Sequence, residues 1–69
     1  MRDFDSIYEE FVNRFLDLEG VQGIARGSYV KDDKICQAIH VVVVFNELDS
    51  IPRRYCGVPV VQYVLSEPT

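Results

Sequence analysis

The chain has 69 residues and a formal net charge of −4 at pH 7, and 48% of its residues are apolar. That length holds one small domain, and the apolar share excludes a disordered chain. Such a domain buries only about 60% of its unfolded surface, so it is stable only marginally unless disulfides, metals or association help.

The first element in chain order is a helix. Phe4, Ile7, Tyr8, Phe11, Phe15 and Leu18 recur at the spacing of one amphipathic face, and Val12 and Leu16 widen it. The pattern predicts a helix over 4–19. Asp3 is one candidate N-cap; Ser6, with Glu9 three residues on, is another. Gly20 suits the left-handed residue after the helix, with Val21 reaching back to Leu16. Residues 1–20 carry six acids against two bases, whereas residues 21–69 are neutral, so the whole negative excess sits on this first segment. Glu9, Glu10 and Asp17 form its candidate acidic face toward a partner with a basic surface. A solvated helix face is the plainer reading of such charge. Either way, direct nucleic-acid binding is disfavoured, because it needs Lys and Arg against phosphates.

After Val21 the period changes to two. A glycine-interrupted strand over 21–30, a turn at Lys31-Asp32-Asp33-Lys34 and a second strand over 35–45 read as a β-hairpin. On the second strand Ile35, Ile39, Val41, Val43 and Phe45 point one way, and Cys36, Ala38, His40, Val42 and Val44 the other. Both faces are largely apolar, as in a strand covered on both sides. A connection over 46–57, with a helical turn near 49–54, leads to a third strand over 58–65 that Pro59 marks as an edge or a strand start. Residues 66–69 are a tail. The fold class is therefore α+β: one N-terminal amphipathic helix on a three-stranded sheet, in the order α-β-β-β.

One helix covers one face of such a sheet. The other face, with Cys36, Ala38, His40, Val42 and Val44, lies beside either Val61 and Leu65 or Val60 and Val64. An open apolar face of that extent marks an association site, and the uncharged run from Val41 to Phe45 is an aggregation hazard if bare. The five residues of the second strand are thus a candidate interface, with a homo-oligomer as the expected state. The competing possibility is that the 46–57 connection and the tail fold over that face.

Chemistry is sparse. His40 is the only histidine and has no ligand pattern around it, so an interfacial imidazole is the simpler role than metal or acid–base work. In an interface its titration near neutral pH would tune association. Asp32-Asp33 lacks the alternating oxygens of a calcium loop. Gly27-Ser28-Tyr29 superficially resembles the Gly-Ser opening of nucleotidyltransferases. The carboxylate pair that family sets on the next strand falls here on Ala38-Ile39-His40, leaving nothing to hold magnesium. Cys36 and Cys56 read as small buried hydrophobes without the spacing of zinc or redox sites. Arg53, Arg54 and Tyr55 form a candidate anion site, against the plainer reading of solvated arginines. No catalytic residue, metal or cofactor is expected. The acidic N-terminus is unlike a signal peptide and no apolar run is long enough to span a membrane, so a cytoplasmic protein with reduced thiols is expected.

Gly20-Val21-Gln22-Gly23-Ile24, the valine strand, Ile51-Pro52 and Tyr55-x-Gly57-Val58-Pro59-Val60 together resemble a small α/β module that precedes trypsin-like peptidase domains in some bacterial proteins. The likeness spans about residues 20–65, rests on glycines, prolines and valines, and implies a fold and no activity. No serine-histidine-aspartate set accompanies it. The functional expectation is a non-catalytic protein-interaction module, self-associating through the sheet. Its specific version is a small acidic bacterial or phage regulator or inhibitor. The expectation from another class is a small-anion-binding domain or enzyme subunit using Arg53, Arg54 and Tyr55.

Overall fold

A computed structural model describes residues 2–44 and 46–65; Phe45, at the end of the predicted second strand, and the tail 66–69 lie outside the described residues. Helix α1 spans Phe4–Phe15. Its N-cap is Asp3, whose carboxylate accepts from the Ser6 N–H at 2.9 Å. This satisfies one of the donors left over in the first turn. Ile7, Phe11 and Phe15 are its buried stripe.

The helix ends about a turn before the predicted 19. Leu16 caps it, and the chain then tightens into a bond from Leu18 N–H to the Phe15 carbonyl and another from Val21 N–H to the Leu18 carbonyl. The tightening brings Leu18 against the core. Gly20, at φ 97°, makes the left-handed turn one step later, with Leu48 packed where its side chain would be. Gly20 therefore ends the linker rather than the helix itself.

Strands β1 (Val21–Lys31) and β2 (Lys34–Val43) form the predicted hairpin. Asp32 and Asp33 both have positive φ, the backbone of a two-residue turn that follows the right-handed twist of its strands. Strand β3 is Arg54–Tyr55 and β4 is Val58–Val64. The sheet is thus four-stranded and mixed, in the order β1-β2-β4-β3, rather than three-stranded. The extra strand exists because Cys56 and Gly57, again both at positive φ, fold Arg54–Tyr55 back onto Val58 and Pro59. No helical turn forms before it: Ile51 N–H bonds the Leu48 carbonyl in a turn, Ile51 dips into the core, and Pro52 disfavours helical backbone just ahead of itself.

β2 and β4 are parallel, with Ile39 opposite Val60 and Val43 opposite Val64. A parallel pair needs a crossover, and the 44–57 connection supplies it. Its apolar residues Leu48, Ile51 and Tyr55 all join the cluster formed by α1 with Ile39, Val41, Val43 and Val60. Tyr55 sets its ring edge-on to Phe11 at 5.3 Å and to Phe15 at 6.0 Å. Gln62 fastens the other end of the crossover, accepting from the Leu48 N–H at 2.8 Å and donating to the Leu48 carbonyl at 3.2 Å. Helix and connection therefore lie on one face of the sheet.

Phe11 is fully buried between helix, connection and sheet. Phe11→Ala removes about 3–5 kcal/mol, a large part of the stability of a domain this size. Urea unfolding should show the midpoint collapsing in Phe11→Ala and largely kept in Phe11→Leu; an unchanged Phe11→Ala midpoint would contradict this core.

Candidate interaction surface

The register assigns the other face of the sheet. Ile39, Val41, Val43 and Val60 are buried beneath the helix, so alternation places Ala38, His40, Val42, Val61, Tyr63 and Leu65 on the opposite side. This resolves the two β4 registers open in the sequence in favour of Val61 and Leu65, and adds Tyr63. Val42, Val44 and Val61 are half-buried, and Tyr63 and Leu65 are 48% and 50% exposed. On β1 the same face carries Ala25 and Gly27, opposite His40 and Ala38. None of these residues bears a formal charge beyond what His40 takes up on protonation.

His40 is built into the face. A side chain on Gly27 would come within 2.4 Å of its ring, so the glycine is the hollow the imidazole fills. Its Nε2 stands 3.3 Å from the Ser28 carbonyl oxygen and donates to it, which makes Nε2 the protonated nitrogen. Its other side leans on Tyr63, ring centroids 5.0 Å apart. His40 thus ties all three long strands together across one face.

The predicted interface residues divide. His40, Val42 and Val44 share this surface, and Ala38 lies within it but is fully buried. Cys36 is exposed on the part of the hairpin that runs past the first β2–β4 pair, Ile39 with Val60. Val30 and Ile35 there are 65% and 78% exposed. Cys56, also exposed, sits in the β3–β4 turn, and neither cysteine is disulfide-bonded. The expectation of buried thiols is corrected: Cys36 lies where the sheet is reduced to the β1–β2 hairpin, and Cys56 lies in a turn. Among the described residues no three of His, Cys, Asp and Glu come together as a group able to hold a metal.

The predicted acidic face does not assemble as a unit. Glu10 forms an ion pair with Arg2, whose guanidinium hydrogen bond, helped by Tyr55, holds the Glu10 carboxyl below its ordinary range. The Asp3 carboxyl is likewise lowered, chiefly by its hydrogen bonds from Ser6. Glu9 is exposed on the helix, and Asp17 lies in the linker beyond it. Asp5 meets Arg26 of β1 at 2.7 Å, with Arg26 also 4.8 Å above the Tyr8 ring.

Arg53, Arg54 and Tyr55 do not converge either. Arg53 lines a cleft that also holds Glu47 and Asp49, Arg54 lines a different one, and Tyr55 is turned into the aromatic core. Alternation along β3 turns Arg54 away from Tyr55, since neighbouring residues of a strand face opposite ways, and Arg53 lies before the strand. Comparison with known proteins finds no matching family model, no similar curated protein and no similar solved structure. No helix among the described residues is long and apolar enough to cross a membrane.

Gly27→Ala should cost about 1–3 kcal/mol by evicting the His40 ring. In a thermal-unfolding double-mutant cycle, Gly27→Ala should cost much less in a His40→Ala background. Strict additivity would show that the two residues do not share this packing.

Proposed function

We propose that the protein is a non-catalytic interaction module that pairs with a second copy of itself through the sheet face opposite the helix. The observation that carries the reading is the destination of the 46–57 connection. Leu48, Ile51 and Tyr55 pack on the helix side, so they do not cover Val42, Tyr63 and Leu65, while Val61 borders a cleft shared with the connection. A surface without formal charge offers little to a charged partner and is self-complementary under a two-fold axis. A stable pair needs about 800 Å² from each copy, roughly 15% of the 5219 Å² that one copy exposes. Association also supplies the burial that a chain this short lacks alone.

In such a pair both helices face outward. Glu9 then stands on the free surface, with Glu10 beside it engaged by Arg2, and there the protein would meet a further partner with a basic surface, in the manner of a small acidic regulator. The chain's net charge of −4 keeps the assembly soluble.

Light scattering across a dilution series tests the pairing, with a dimer expected at tens of micromolar, about the range of a modest interface. Val42→Glu should give a folded monomer. Tyr63→Lys, at a position already half-exposed, should do the same without risk to the core. A wild-type monomer across the series, or a dimer indifferent to Tyr63→Lys, would overturn the proposal.

A further inference from the structure

β2 and β4 pair only from Ile39 and Val60 onward. Before that point they diverge, and an open cleft of about 400 Å³ lies between the projecting hairpin, the β3–β4 turn and the start of the helix. Arg2, Lys31 and Arg54 reach it from three separate elements, and among the described residues no carboxylate lines it. In a chain of net charge −4 this is a local reversal of sign. Arg2 is partly neutralised by Glu10 outside the lining and steadied by a bond to the Ser6 carbonyl at 3.3 Å. Lys31 and Arg54 have no carboxylate within ion-pair distance among the described residues. Cations gathered in this way raise the local concentration of anions, and arginine adds a planar fork that matches carboxylate and phosphate oxygens. The remaining walls are largely apolar, with Phe4, Tyr29 and Pro59 beside the charged groups. The volume falls in the range of small-ligand sites.

We propose that this cleft binds a small organic anion, a carboxylate or phosphate head carried on an aromatic or aliphatic body. Lys31 and Arg54 hold the head, Arg2 adds to the field, and Phe4 and Tyr29 take the body. The site differs from the trio read in the sequence: Arg54 belongs to it, while Arg53 and Tyr55 do not. It lies at the end of the sheet away from Val42, Tyr63 and Leu65, so it stands or falls independently of self-association.

The test follows backbone amide shifts while phenyl phosphate and benzoate are titrated separately into the full chain, the stronger of the two identifying the head group. Saturable shifts at Lys31, Cys56 and Gly57 are expected, weakening as salt is raised. Lys31→Glu and Arg54→Glu, both at exposed positions, should each lower affinity about tenfold or more, while Arg53→Glu should not. No saturable shift, equal shifts with neutral benzyl alcohol, or indifference to both reversals would overturn the anion site. Inorganic phosphate binding as tightly as phenyl phosphate would overturn the role of the apolar walls.

Discussion

The Tyr55 ring set between Phe11 and Phe15 commits the molecule's architecture. Parallel pairing of β2 and β4 demands a crossover, and a crossover can run over either face of a sheet. Aromatic burial decides which. Tyr55, with Ile51 and Leu48, completes the cavity that one short helix leaves open, so the crossover joins the helix instead of screening the other face. The smallest dimension of the molecule, 17 Å, is that of two layers. What the core gains on one side, neither the helix nor the packed residues of the crossover cover on the other.

That asymmetry organises the surface. Where β2 and β4 run together, the face away from the helix carries no carboxylate, lysine or arginine among the residues placed on it, and its histidine, His40, is engaged by Ser28 and Tyr63. Where they separate, the same strands open the cleft lined by Arg2, Lys31 and Arg54. The helix with its cap and linker carries the negative excess, part of it spent on Arg2 and Arg26. Three surfaces of different chemistry thus follow from one sheet register.

Much of this was legible in the sequence where the signal was local. The helix face, the hairpin at Asp32-Asp33, the buried set Ile39, Val41 and Val43, and Pro59 near a strand start all rest on periodicity or turn chemistry that a short window contains. The helix end was misplaced because Gly20 does mark a left-handed turn, though one lying beyond a tightened linker. β3 escaped notice because two residues carry no periodicity. The face of β4 was undecided because both of its registers are apolar, and only pairing with β2 separates Val60 from Val61. The candidate site was read in part for the same reason. His40, Val42 and Val44 follow from alternation, whereas Tyr63 needed the β4 register, and the cationic cleft needed residues 2, 31 and 54 brought together by the whole topology.

The central claim is that the face bearing Val42, Val61 and Tyr63 is a contact surface between copies. Isotope-filtered nuclear Overhauser spectroscopy on a mixture of labelled and unlabelled protein reads contacts between copies directly. The predicted result is intermolecular cross-peaks from the methyl groups of Val42 and Val61 to the Tyr63 ring. Intermolecular contacts confined to the helix or the hairpin tip, or none at concentrations where the protein scatters as a dimer, would contradict it.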